Sequence, residues 1–509
     1  RLLTDPFKAI SPGACFIIQT VDLQSFMNSL TTGKGLFGEV GNVKEFEGFN
    51  SKLSYLTDQL NKGGYKNLLE GGTAIISFHP GKHGKLNTLL SVNVPGETRF
   101  RHIREALRSS GIKEMIENKT GGTSFLKIPY EVNNLKDTAF ISLVSGLMVC
   151  SSSKELIEEA LAQMINGNDV RNLPGFSRVL MASGKNEDKI FVIFANLPHL
   201  IKMCLSKGRQ DFAEKIANLA STAGGDIYIN ENGLVLSGYT ESPDSSEFLY
   251  KYKFLPPSEF HTYKILPSAT VFFETMVLPS ESPQSKFNDS VSPETINLAV
   301  KLKEYIGEEI TRAYIDIKDR PVIDNSLMVY ELINRVRAEQ IFLEEVGTKV
   351  EIIYFEPDDQ IKMPVYKTSF RGLTGVLKPG FTPGFNETYI AFYDNFMIAG
   401  NSYATISRLL YDNLLNKTLA NDLTYRDFES TLPSRSGYFF YCVPSRIISY
   451  LSGFLNDDII KALKSNKSSL NKIQSAGYQF ASSNGMIYNS LSIRFKEEAR
   501  EESTTEWET

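Results

Sequence analysis

The sequence predicts an α+β fold, built as two tandem copies of a mainly antiparallel sheet domain with flanking helices. Three observations carry this reading. First, residues 139–161 and 388–410 follow one plan: a strand, a polar two-residue turn, a second strand, a Ser/Asn cap and an amphipathic helix. Second, further blocks match in the same order. Pro12–Ile18 corresponds to Pro267–Phe273, a shift of 255 residues, and Asn87–Val92 to Asn325–Tyr330, a shift of 238. Gly175–Ser177 corresponds to Thr424–Arg426, and Lys189–Phe194 to Gly437–Tyr441. Third, strand pairs are joined by turns such as Ser145-Gly146, Asp394-Asn395 and Asn230–Gly233. Connections this short force antiparallel pairing. Such a long repeat period excludes a solenoid, whose units run to about 20–50 residues.

The elements follow in order. A strand at 14–20 precedes a helix capped by Asp22, with Leu23, Phe26, Met27 and Leu30 on one face. The Gly-rich stretch Thr32–Gly38 follows, and helical periodicity returns over 47–62. Strands at 73–78 and 88–94 flank a Pro/Gly/His/Lys loop at 79–86. A helix at 97–109 precedes strands near 123–129, 138–144 and 147–150. The next helix carries a capping box, Ser152 with Glu155. Each half closes with two strands, 225–230 with 233–239 and 475–482 with 486–495. In the second half, helices are expected at 293–306 and 332–345, and loops at 276–292, 356–364 and 378–387.

The expected domains are a first copy at 1–250, a linker at 251–263, a second copy at 264–496 and a charged tail at 497–509. Pro, Ser, Asp and Glu concentrate around the proposed linker, which marks a boundary. The first residue is Arg, and the single Trp, Trp507, sits in the polar tail. The expectation is a chain trimmed, processed or cloned as a fragment, with Trp507 at the opening of another domain that was cut away.

The chain has 509 residues, 42% of them hydrophobic and 22% charged, with a net charge of −5. This is an ordinary globular composition. It lacks the basic balance that nucleic-acid binding needs, and no apolar run approaches the ~20 residues of a membrane span. Cys15, Cys150, Cys204 and Cys442 are far apart, without metal or redox spacing. Cys15, Cys150 and Cys442 lie in apolar strands and read as small buried hydrophobes.

Each chemical motif competes with a plainer reading. Thr32–Gly38 lacks the Gly-Lys-Ser/Thr end of a phosphate loop and follows a helix, so it reads as a loop. His79 and His83 flank Pro80-Gly81-Lys82 and read as an exposed hairpin tip, since Pro and Gly oppose the helix that would align two metal ligands. His199 follows Pro198 and reads as structural or solvated. Ser145 and Ser183 lack the nucleophile elbow. Glu308-Glu309 and Asp358-Asp359 are adjacent carboxylates on apparent surface loops, a weak sign of a catalytic pair. Asn118, Asn386 and Asn416 open glycosylation tripeptides. No residue is assigned a catalytic, cofactor-binding or metal role, and no cofactor is expected. The aromatic residues Tyr389, Phe392, Tyr393, Phe396 and Tyr438–Tyr441 suggest strands covered on both faces. Their sharper reading is an apolar groove for a peptide, lipid or partner protein.

The ordered blocks from Ser11–Leu30 through Thr73–Phe78, Leu89–Val94, Thr138–Leu161 and Phe176 to Leu197-Pro198 resemble a domain-of-unknown-function family of bacterial envelope proteins. The resemblance implies an upstream membrane anchor, a periplasmic location at the inner membrane and a downstream β-propeller-like region. The family has no established catalytic residues to carry over. The expected function is a non-enzymatic scaffold or protein-interaction module with envelope proteins as partners and no nucleic acid. The alternatives are a carrier or chaperone for a lipid or other hydrophobic ligand, and a hydrolase with an unrecognised site.

Overall fold

The computed structural model describes residues 4–23, 25–26, 55, 58–59, 62, 72–81, 86–132, 135–185, 187–230, 232–277, 291–318, 320–377 and 386–496. The first ten strands are β1 (Phe16–Thr20), β2 (Ala74–Pro80), β3 (Leu86–Asn93), β4 (Ile116–Thr120), β5 (Thr123–Val132), β6 (Leu135–Val144), β7 (Leu147–Ser151), β8 (Lys189–Ile193), β9 (Thr222–Asn230) and β10 (Gly233–Glu241). The next ten are β11 (Thr270–Val277), β12 (Ile306–Ile315), β13 (Ser326–Leu332), β14 (Glu351–Phe355), β15 (Met363–Lys367), β16 (Tyr389–Tyr393), β17 (Phe396–Gly400), β18 (Tyr438–Cys442), β19 (Ile473–Ser483) and β20 (Met486–Phe495).

All twenty strands among the described residues join one antiparallel sheet. The expectation of two tandem copies, each with its own sheet, is therefore corrected. The finding that overturns it is the β10–β20 pairing, which runs from Gly233 opposite Arg494 to Thr240 opposite Ile487. A free edge strand exposes unpaired N–H and C=O groups. Pairing the last strands of the two runs removes both edges and fuses the runs. Outward from this seam the strands stand β10, β9, β8, β1, β2, β3, β7, β6, β5, β4 on one side. On the other they stand β20, β19, β18, β11, β12, β13, β17, β16, β15, β14. The matched sequence blocks fall on two wings of a single sheet.

Helices cover both faces of each wing. In the first wing α1 (Phe100–Ser109) sets Ile103, Ala106 and Leu107 on Ile76, Leu90 and Ile141. On the opposite face, α2 (Lys154–Asn166) and α3 (Phe176–Ala182) set Leu156, Ile157 and Val179 on Ile17, Ile75, Leu89 and Val149. After β8 come α4 (Pro198–Cys204) and α5 (Asp211–Ala217). In the second wing α6 (Pro293–Leu302), α7 (Arg335–Val346) and α8 (Leu373–Leu377) pack on Met328, Tyr330, Ile390 and Met397. The other face carries α9 (Tyr403–Leu414) and α10 (Leu423–Glu429), over Phe273, Val329 and Ile398. No helix among the described residues is long and apolar enough to cross a membrane.

Local signals explain most boundaries. Ser145 and Asp394 adopt φ of 51° and 49° in the tight turns expected of them. The α2 cap is Ser153, one residue later than predicted: its Oγ accepts the Leu156 N–H at 3.2 Å. The predicted 79–86 loop begins later, because β2 continues through His79 and Pro80. The predicted helix at 293–306 ends at Leu302, and Ile306 opens β12. Met276 and Val277, predicted as loop, complete β11.

Candidate ligand cavity

The sheet on either side of the seam forms the floor of a cavity of about 680 Å³. Ile190 and Val192 of β8, Leu236 of β10, Leu491 of β20, Tyr478 and Phe480 of β19, and Met276 of β11 face it. Leu236 stands directly opposite Leu491 in the β10–β20 register, so the seam itself runs under the cavity. Phe194, Phe212 of α5, Leu219 and the 3₁₀ turn Phe248–Tyr252 supply the remaining walls. Phe212 is 52% exposed and Phe248 42%, which makes them a solvent-facing apolar rim. The segment joining α4 to α5 is tied to the chain joining α11 (Ile448–Leu451) to α12 (Asp457–Ser465). Ser206 N–H donates to Phe454 O, and Asn456 N–H to Cys204 O, both at 2.9 Å. The wings are thereby clasped above the sheet as well as within it.

Apart from Asn489 of β20, whose Oδ1 accepts the Thr240 hydroxyl at 2.9 Å, and the phenols of Tyr252 and Tyr478, the polar groups gather at one end. Glu274 of β11 stands opposite Arg312 of β12 in the strand register, and the guanidinium Nη2 lies 2.5 Å from the carboxylate. Tyr438 of β18 donates its hydroxyl to the second Glu274 oxygen at 3.1 Å. The Tyr438 ring stacks on Phe480 with centroids 5.5 Å apart and planes 10° apart. Burial, then the Glu274 charge, push the Tyr438 phenol well above its usual pKa. Burial alone raises Tyr252 to about 12, and it raises Tyr478 to about 12 against a Thr240 hydrogen bond. The cavity tyrosines are therefore neutral hydrogen-bonding groups near pH 7. A concave, largely apolar site of about 300–1,000 Å³ with a few convergent polar groups is the usual form of a small-molecule site.

Sequence reasoning singled out Tyr438 but missed Glu274 and Arg312. Its available signal was one charge of each sign set inside apolar strands, at Phe272–Met276 and Ile310–Tyr314. Of the other aromatics, Phe392 and Phe396 are core side chains, while Tyr389 and Tyr393 pack at its margin.

The structure places the other marked residues elsewhere. Thr32–Gly38, His83 and Trp507 lie outside the described residues. His79 is not at an exposed tip: it is buried in β2, 2.8 Å from the Ser77 hydroxyl. His199 is exposed on α4. Ser145 is a turn residue, and the Ser183 hydroxyl donates to Val179 O. Asp358 accepts the Gln360 and Ile361 amides in its own turn. Glu309 is not a surface-loop residue: it is buried in β12, whereas Glu308 meets the exposed Ser258 hydroxyl. Asn118 lies in β4, Asn386 precedes the buried Glu387, and Asn416 has a φ of 54°. All four cysteines are free, and burial raises Cys15 to about 11 and Cys150 and Cys442 to about 12.

His261, Glu309 and Glu331 bring possible metal-ligand atoms within 4.8 Å of one another. Glu309 already accepts the backbone N–H groups of His261 and Thr262, at 2.7 and 2.8 Å. The His261 ring meets Glu331 at 3.0 Å. This arrangement is a hydrogen-bonded knot that holds the chain before β11 against β12.

Two buried groups give opposed pH dependences. Burial lowers His79 to about 4, so the unfolded chain binds more protons and stability rises with pH between about 4 and 6.5. Burial raises Glu387 to about 7, against the backbone donors Thr374 and Leu373. The native state then binds more protons, and stability falls as pH rises from about 4.5 to 7. Glu387→Gln is expected to match the wild type near pH 4 and exceed it by about 3 kcal/mol at pH 8. His79→Gln should remove the rising limb instead. Urea midpoints across pH 4–8 check both; parallel curves for all three proteins would contradict the assignment.

No protein-family model matches the chain, and no curated protein matches it. A solved structure titled "Structure of crystal form III of TP0453" aligns with 51% of this chain and 89% of its own, at 10% identity and a TM-score of 0.25. A likeness at that level carries no argument about function.

Proposed function

We propose that this protein is a non-enzymatic carrier that binds a lipid or other hydrophobic small molecule in the cavity over the β10–β20 seam. The observation that carries the proposal is the cavity of about 680 Å³, walled mainly by apolar side chains and open past an apolar rim. An apolar ligand moved there from water gains roughly 25 cal/mol for each Å² it buries. Buried neutral tyrosines and one compensated ion pair suit retention of a ligand better than its chemical conversion. Placement in the bacterial envelope belongs to the same proposal and rests on the sequence resemblance. The scaffold reading rests on a large fold without a recognised catalytic motif and on that resemblance; the cavity is an added observation for the carrier reading, which is favoured.

Native mass spectrometry of protein purified without detergent tests the reading. The expected spectrum shows a non-covalent adduct of lipid-like mass on the wild type, absent from Leu236→Trp, whose indole would fill the floor. An apo mass alone in gentle conditions, after incubation with a total lipid extract, would contradict it.

A further inference from the structure

We propose that the cavity selects an uncharged amphiphile with one hydrogen-bonding head, seated with the head at Glu274 and Arg312 and the tail toward Ile190 and Val192. The proposal rests on the reading of the cavity as a ligand site and adds the class and direction of its ligand.

Direction follows from the strands that line the two sides of the cavity. Glu274 stands opposite Arg312 on one side and Phe440 on the other. Across the seam, Ile190 and Val192 of β8 line the cavity. The ion pair lies on the β11–β12 side of the cavity and the aliphatic pair on the β8 side. The cavity inherits a polar end from β11, β12 and β18 and an apolar end from β8. One polar end and one apolar end suit a ligand with a single head.

Head charge follows from the pair's neutrality. Arg312 and Glu274 are 2.5 Å apart, and their side chains are 29% and 15% exposed. Each charge is compensated by the other, and Tyr438 adds a further donor to Glu274. An anionic head would meet the Glu274 carboxylate, and a cationic head the Arg312 guanidinium. Either would bring an uncompensated charge against an apolar wall, where desolvation is costly. A hydroxyl-bearing head both donates and accepts, so it can face both partners without adding charge. Lys251 stands 4.4 Å over the Phe248 ring at the rim.

The test uses the full chain and displacement of bound N-phenyl-1-naphthylamine by three compounds with twelve-carbon chains, each below its micelle concentration. Glycerol monolaurate is expected to displace the probe at least about tenfold more effectively than laurate or dodecylammonium, equivalent to about 1.4 kcal/mol. Glu274→Gln should selectively improve laurate and Arg312→Met dodecylammonium, each narrowing that gap to about threefold. Failure of the wild type to bind the probe overturns the cavity reading and this inference together. Probe binding with laurate or dodecylammonium equal to the monoester, or an order unchanged in both variants, overturns the inference alone. Thermal melting establishes that each variant is folded; if one is not, the wild-type order of the three compounds decides.

Discussion

Replacing Glu309 with Ala is expected to destabilise the protein by about 3–5 kcal/mol, although the residue lies outside the cavity. Glu309 is 2% exposed and is the acceptor for two backbone amides, His261 at 2.7 Å and Thr262 at 2.8 Å. The Thr262 hydroxyl donates to it as well, and Thr275 adds a long contact of 3.4 Å. Truncation leaves these buried donors without their partner, at about 1–3 kcal/mol each. Burial raises the Glu309 carboxyl pKa against these donors, so the charge itself is an expense of the fold. Glu309→Gln keeps an acceptor oxygen and loses that charge, and should cost less than half as much. Urea unfolding at pH 7 measures both variants. A loss below about 1 kcal/mol for Glu309→Ala would show that the knot does not hold the chain entering β11.

Gly238→Ala is expected to cost about 3 kcal/mol and to abolish ligand binding, against the ordinary preference for Ala over Gly in a strand. That preference is worth about 0.5–1 kcal/mol. Here geometry reverses its sign. Gly238 pairs with Gly225 of β9 on one side and Asn489 of β20 on the other. A Cβ at Gly238 would lie 2.0 Å from the Gly224 carbonyl oxygen and 2.4 Å from the Gly225 Cα. Those are backbone atoms, so β9 must move. Overpacking costs about 1–3 kcal/mol where side chains can yield, and this site belongs at the top of that range. β9 carries Ala223 of the cavity lining and pairs with β10, which carries Leu236 of the floor. Thermal melting and probe titration on the same sample check both effects. Wild-type melting would show that β9 and β10 are less closely apposed than described.

Much of the local structure was legible because its causes are local. Ser145-Gly146 and Asp394-Asn395 make the hairpin turns their composition requires, with positive φ at Ser145, Gly146 and Asp394. The matched blocks correctly located β1, β3, β8, β11, β13 and β18. What the sequence hid depends on distant partners. β12 carries Glu308, Glu309 and Arg312 among its apolar residues, which blurs the strand period. Glu309 is satisfied by donors 47 and 48 residues away, and Arg312 by Glu274 across a strand pairing. Local pattern reads such charges as surface. The β10–β20 seam joins strands about 250 residues apart, and neither end strand carries a local mark of its partner. The candidate cavity was equally hidden, because it exists only once the two wings meet. The cluster Tyr438–Tyr441 was its one visible trace: Phe439 and Tyr441 entered the core, and Tyr438 turned to the cavity.

The most direct test of the central claim is a titration of N-phenyl-1-naphthylamine into the wild type and into Leu236→Trp. The account predicts a saturable, one-to-one fluorescence rise for the wild type and affinity reduced at least about tenfold, or 1.4 kcal/mol, in the filled variant. Absence of saturable binding to the wild type, or equal affinity in a folded Leu236→Trp, would contradict the cavity over the β10–β20 seam as the ligand site.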